Sequence, residues 1–225
     1  MADPGSSGAP AGGAPPPRFP PFYLISDRRR MGPDPGATVR SLATAGLPAF
    51  QWREKDLSPI ETWRSLEEIL KPANGGPTHF LVNDRIDVAA AFGIGVHLPE
   101  DGLPTHVARR LLPTAAWIGR STHSLESARR ARDDGADFVT FGPVYDTPSK
   151  RAYGPPLGVG ALREVSREMD GFPIIALGGV TLARVAECLD AGARGIAVIG
   201  AVWDAPDPVG AWHAFAEALG IEPAR

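Results

Sequence analysis

Gln51, Arg53 and Lys55 stand at alternate positions in the segment AFQWREKD. In an extended chain alternate side chains share a side, so this spacing would place an amide and two fixed positive charges together, a surface suited to an anion. Asn83 and Asp84 close the apolar run FLVND, and the Asp84 carboxylate is a hard oxygen ligand of the kind Mg²⁺ prefers. In IGRSTHS, Ser121 offers a hydroxyl donor and His123 a group that can titrate near neutral pH. Thr147 and Ser149 supply two further hydroxyls in the segment YDTPSK, and Lys150 a third cation. Gly178, Gly179 and Gly200 (with Ile199 before it) follow apolar runs, where bare backbone lets a ligand reach main-chain N–H groups near helix N-termini. This inventory implies two phosphate-bearing groups: one near Arg53, Asn83 and Ser121 with a metal, the other near Gly178-Gly179 and Ile199-Gly200.

Each residue also has a plainer reading. The Gln51–Lys55 trio could form salt bridges at a surface, Asn83-Asp84 could cap a helix, and His123 could be structural. The paired glycines could serve close packing of strand on helix. Cys188, mid-helix and without a cationic neighbour in sequence, reads as structural, and Trp52 as packing against outer helices. The cluster carries more weight than any member, provided one fold brings the members together.

The elements that must do so are legible as a repeat. Short apolar runs occupy residues 22–27, 49–54, 78–84, 95–99, 116–122, 138–143, 173–179 and 195–200. Most are near-continuous rather than strictly alternating, as expected of parallel strands covered on both faces. Helical segments lie between them. Residues 58–70 open with Ser58 as cap, Pro59 at the first helical position and Glu61 three residues after the cap. Residues 124–134 and 181–191 open with Ser or Thr and run into Gly135 and Gly192, and residues 207–219 close the chain. The stretches DDGADFVTFG and DAGARGIAVIG are nearly interchangeable helix-end, turn and strand units. Eight such units over residues 22–225 predict an α/β fold, a single (β/α)8 TIM barrel, and eight units argue against a doubly wound sheet. The candidate residues then all fall at the C-terminal ends of strands, where barrel sites lie.

Composition bounds the rest. The chain of 225 residues carries a net charge of −3, so no global basic field points to nucleic acid or an anionic membrane. One cysteine excludes an intrachain disulfide framework and suits a reducing, cytoplasmic setting. No apolar run has the length of a membrane helix, and the N-terminus lacks the apolar core of a secretory signal. Of residues 1–21, 11 are Gly or Pro. The expectation is a disordered tail over 1–21, with the folded domain starting near Phe22.

The segments YLISDR, FQWREKD, LVNDRIDVA, VHLPEDGLP, IGRSTHS, GADFVTFGPVYDTPSK, PIIALGGV and AGARGIAVIGAV together resemble the thiamine phosphate synthase and thiazole tautomerase family, in the family's order. The resemblance implies a transferase that joins a pyrimidine methyl diphosphate to a thiazole phosphate, releases pyrophosphate and uses Mg²⁺. It implies small phosphorylated substrates as partners, neither nucleic acid nor membrane, and leaves a homo-oligomer open. It assigns Gln51, Arg53 and Lys55 to the pyrimidine diphosphate, Asn83, Ser121 and Lys150 to the diphosphate, and Asp84 to the metal. Thr147 and Ser149, with Gly178, Gly179, Ile199 and Gly200, fall to the thiazole phosphate. The family's usual residue at 200 is Ser, so one hydroxyl is missing here. Its second metal carboxylate falls at Gly102, which leaves Asp101, one residue earlier, as the substitute ligand. Two alternatives stand beside this: a metal-independent tautomerase with His123 as acid/base, and a precursor-binding barrel without turnover.

Overall fold

The computed structural model describes residues 19–71, 76, 78–147 and 154–222. Eight parallel strands close into a barrel in sequence order: β1 (Phe22–Ile25), β2 (Ala49–Trp52), β3 (His79–Asn83), β4 (Gly95–Leu98), β5 (Ile118–Thr122), β6 (Phe138–Phe141), β7 (Ile174–Leu177) and β8 (Gly195–Val198). The helices that follow are α1 (Pro35–Thr44), α2 (Pro59–Leu70), α3 (Ile86–Phe92), α4 (Thr105–Leu111), α5 (Leu125–Asp133), α6 (Gly158–Glu168), α7 (Val185–Asp190), the short α8 (Gly200–Trp203) and α9 (Pro208–Ala218). The barrel expectation holds. No helix among the described residues is long and apolar enough to cross a membrane.

Local chemistry explains the helix bounds. Ser58 and Glu61 form a reciprocal capping box on α2 with Pro59 in the first turn, and Ser124 and Ser127 do the same on α5. Gly135 and Gly192 adopt φ of 94° and 91° just past α5 and α7, where a side chain would be strained. Residues 181–191 depart from the expected single helix. They begin as a 3₁₀ turn, Leu182–Arg184, and become α-helical only at Val185.

Strand alternation sorts the core into two shells. Phe22, Leu24, Phe50, Val82 and Val96 face outward and pack under the helices. Tyr23, Ile25, Ala49, Leu81, Phe138, Ile175 and Ala197 fill the barrel interior with Phe19. Phe19 corrects the expected boundary. Residues 1–18 of the proposed tail lie outside the described residues, but Phe19 is fully buried and stacks on Phe138 with ring centroids 3.6 Å apart. Tyr23 and Trp117 meet it edge-on at 5.2 and 5.4 Å. A buried aromatic ring contributes about 1.5–3 kcal/mol by removal from water alone, enough to order the short Pro20-Pro21 lead into β1.

Candidate active site

The mouth at the C-terminal ends of the strands gathers most of the described candidates. Gln51 is buried inside the barrel, Arg53 is half-buried above it, and Lys55 is exposed. The expected strand over 49–54 stops at Trp52, so Arg53 and Lys55 sit in the following loop and turn. What fixes that loop is Glu54, which the sequence reading left unassigned. Its nearly buried carboxylate accepts from the Ser26 hydroxyl (2.5 Å) and the Arg28 main-chain N–H (3.0 Å), while the Arg53 N–H donates to Ser26 Oγ (2.8 Å). Burial pulls the Arg53 guanidinium below its usual range, against the charges of Glu54 and Asp27. That is a cation partly stripped of water, which an anion would re-solvate.

Asn83 ends β3, and its side-chain oxygen lies 3.5 Å from Gln51 Nε2. Asp84 follows with φ of 57°, and among the described residues it is the non-glycine residue with positive φ. Its N–H donates to the His97 carbonyl (3.0 Å). The left-handed backbone is tolerated by Asp better than by most residues, and such outliers gather at functional sites. The capping alternative for this pair fails: Arg85 occupies the cap of α3, and its side chain makes no capping bond. His97, on β4, was also passed over in sequence as part of an apolar run. It is buried in the barrel with Nε2 3.1 Å from Ser121 Oγ and 3.4 Å from Thr140 Oγ1. Burial, reinforced by the positive charges of Arg53 and Arg120, pushes its pKa down to about 3, so the imidazole is neutral.

His123 is partly exposed, with Nδ1 hydrogen-bonded to the Gly142 carbonyl and Nε2 3.8 Å from the Glu100 carboxylate. Glu100 belongs to the β4–α4 loop, which also carries Asp101. Arg120 clamps that loop by donating to the carbonyls of Glu100 (2.8 Å), Gly102 (3.1 Å) and Leu103 (2.6 Å). Gly102 sits in a tight turn where a Cβ would stand 2.8 Å from the Pro99 ring, so a carboxylate at that position requires the turn to shift. Asp101 is exposed in the same turn.

On the opposite rim, Gly178 and Gly179 have φ of 97° and 65°. A Cβ at Gly178 would lie 2.5 Å from Pro143 Cα, and one at Gly179 2.7 Å from the Asp146 carbonyl oxygen. The crowding at these glycines is not the expected packing of strand on helix: they let the loop after β6 lie across the end of β7. Arg184 donates to the Gly179 carbonyl (2.6 Å) and stacks over Tyr145, whose hydroxyl donates to Glu187 (2.6 Å). Thr147 lies in this β6 loop; Ser149 and Lys150 fall outside the described residues. Ile199 and Gly200 begin α8. A Cβ at Gly200 would meet Asp204 Oδ2 at 2.7 Å and Arg30 Nη1 at 3.1 Å, so an ion pair held between Asp27, Arg30 and Asp204 occupies the space beside it.

A cleft of about 490 Å³ opens elsewhere, on the outer surface between α1 and α2, with Trp52 in its wall. It holds none of the described candidate residues. A smaller cavity, about 150 Å³, lies beside β5 between the start of α4 and the body of α5, lined by Glu100, Thr105, Arg120, Ser121 and Arg130. Position in the barrel and chemistry, rather than volume, single out the mouth. Among the described residues no three acidic, His or Cys side chains converge into a metal cage. Mg²⁺ does not require one: it is commonly held by one or two carboxylates together with substrate phosphates and water, and Asp84 at the mouth fits that pattern.

Barrel and mouth together set polar and cationic side chains at the C-terminal ends of the strands, where sites of (β/α)8 enzymes lie. The family model described as thiamine monophosphate synthase matches residues 22–202. The thiamine-phosphate synthase of Roseiflexus castenholzii is 40% identical over 200 residues, covering 87% of this chain and 86% of the relative. That of Methanospirillum hungatei is 40% identical over 203 residues, covering 88% and 97%. A thiamine phosphate pyrophosphorylase from Pyrococcus furiosus superposes with a TM-score of 0.75 at 32% identity, over 88% of this chain and 95% of that one. The chain belongs to the thiamine monophosphate synthase family.

Proposed function

We infer that this chain is a thiamine-phosphate synthase, a transferase acting on a pyrimidine methyl diphosphate and a thiazole phosphate. The observation that carries the reading is the joining of Gln51, Arg53, Asn83, Asp84 and Ser121 at one mouth of a barrel whose relatives bear that name. In the reaction the bond between the pyrimidine methylene and the diphosphate oxygen breaks, and its electron pair leaves with pyrophosphate. The ring nitrogen of the thiazole donates the pair that forms the new C–N bond. Charge grows on the departing oxygens, so the protein's task is to meet that charge with fixed donors.

Arg53, half-desolvated, supplies the strongest such field; Lys55 and Lys150 add charge, and Ser121 and Asn83 add neutral donors. Gln51 orients Asn83 and the pyrimidine side. Mg²⁺ would be held by Asp84, with Asp101 as second carboxylate, and would neutralise diphosphate charge. The thiazole phosphate would lie on the opposite rim, at Thr147, Ser149, Gly178, Gly179, Ile199 and Gly200. The reading places the enzyme in the cytoplasm, on the strength of its single thiol.

The test is product formation by purified protein supplied with both substrates and Mg²⁺, then with EDTA, then with Mg²⁺ restored. Synthase activity lost in EDTA and regained with Mg²⁺ is expected; no product in any arm removes the assignment. Asp101→Ala should raise the Mg²⁺ concentration needed for half-maximal rate, and an unchanged requirement takes Asp101 out of the metal site. One observation favours the tautomerase reading: the His123 ring lies between the Gly142 carbonyl and Glu100, a setting fit for moving a proton. Thiazole isomerisation that survives EDTA and fails in His123→Ala would establish it.

A further inference from the structure

His97 is a buried polar ring among aromatic ones. Inside the barrel it lies against Phe138, with ring centroids 5.7 Å apart, and Tyr23, at 5.8 Å. Its space exists because β5 carries Gly119, where a Cβ would stand 2.6 Å from Nδ1. Nδ1 therefore faces bare backbone and has no hydrogen-bond partner among the described residues. Nε2 points the other way, to two hydroxyls: Ser121 Oγ at 3.1 Å and Thr140 Oγ1 at 3.4 Å.

The two neutral tautomers differ in consequence. With the proton on Nδ1, a buried N–H donor would have no acceptor among the described residues and would forfeit its solvation uncompensated, and Nε2 would consume the Ser121 proton. With the proton on Nε2, the ring has two acceptors within reach, and the orphan is a bare ring nitrogen rather than a stranded donor. Ser121 then accepts from below and its own O–H is left to donate upward.

We propose that His97 is a positioning residue of the mouth: it carries its proton on Nε2, donates to Ser121 Oγ, and so commits the Ser121 hydroxyl to donate to a substrate phosphate oxygen. A phosphate offers only acceptors, so a serine that binds it must bring the proton, and the imidazole beneath decides that direction. The His97 carbonyl meanwhile receives the N–H of Asp84 (3.0 Å), so one residue of β4 sets both the hydroxyl donor on β5 and the left-handed carboxylate after β3. The role of Ser121 toward phosphate rests on the synthase reading; the proton's place on His97 does not.

Two measurements separate these. In ¹⁵N-labelled full-length protein, long-range ¹⁵N–¹H correlations report the tautomer of each of the five histidines, and a His97→Gln spectrum identifies the His97 signals. A proton on Nε2 is expected, and a proton on Nδ1 overturns the proposal whether or not the protein makes thiamine phosphate. The second measurement is kinetic. His97→Leu removes the donor at similar volume and should lower kcat at least about tenfold with a smaller change in KM. His97→Gln, whose amide N–H₂ reaches the same hydroxyl, should stay within about threefold of the unmodified enzyme. In a Ser121→Ala background, His97→Leu should add less than about a twofold loss, because the hydroxyl it orients is gone. A folded His97→Leu with full kcat, or an equal loss with and without Ser121, overturns the positioning role. If His97→Leu does not fold, the tautomer and the His97→Gln kinetics still decide. If the unmodified protein makes no product, the synthase reading fails while the tautomer result stands.

Discussion

The two ends of the barrel are built on opposite principles. At the N-terminal end, Phe19 closes the interior against Phe138, Tyr23 and Trp117, ring on ring. At the C-terminal end, Arg53, Asn83 and Ser121 are held half-buried, and Asp84 takes a backbone conformation that costs energy. One end spends its residues on exclusion of water; the other sets polar and charged groups in a half-buried rim. Stability and activity should therefore separate along the barrel axis.

The largest expected effect is at the mouth. Asp84→Asn keeps the left-handed preference and removes the charge, so turnover should fall about a thousandfold, equivalent to about 4 kcal/mol, with thermal stability unchanged in a scan. Asp84→Gly should lose activity equally but raise the melting temperature, since glycine relieves about 1 kcal/mol of backbone strain at positive φ. Second is the other end. Phe19→Ala should cost about 3 kcal/mol of stability in denaturant titration, while kcat at 25 °C stays within experimental error. A large loss of kcat in a folded Phe19→Ala would end the separation of roles. Third, Lys150→Ala should lower kcat/KM at least about tenfold, or about 1.4 kcal/mol; unchanged kinetics would leave Lys150 as a solvated loop residue. Smallest is removal of residues 1–17, which has no core-forming pattern and should leave melting temperature and rate untouched. Removal of residues 1–20 should instead reproduce the Phe19 defect.

What was legible follows from how each feature is encoded. Eight strands were readable because each is a run of apolar residues, and the mouth because polar residues interrupt those runs at their ends. The strand limits ran too long at Arg53 and Glu54, since a buried carboxylate bonded to Ser26 cannot be told from an exposed one in sequence. Phe19 was submerged in the Gly/Pro average of its neighbours, although one ring suffices to plug a barrel. His97 looked like a minor break in GVHLP; its partner is 24 residues away, and only barrel closure brings the two together. Gly178 and Gly179 were flagged for the right freedom, but the loop lying across them is a tertiary fact.

The seam between the first and last strands has a consequence for synthesis. β1 pairs with β8, Ile196 N–H bonds the Pro21 carbonyl (2.9 Å), and the Trp203 indole N–H donates to the Ile25 carbonyl (2.7 Å). A ribosome must add about 170 residues after β1 before that edge can be covered, which at roughly 5–20 residues per second takes on the order of 10–30 s. Throughout that interval an apolar strand and the Phe19 ring wait with one flank open, the condition in which nascent chains aggregate. Pro20 and Pro21 stand immediately before the strand and have no N–H to lend to a foreign partner. Replacing with alanine the same two residues that lead Phe19 into the barrel floor should therefore lower the yield of soluble protein and leave the finished enzyme unchanged.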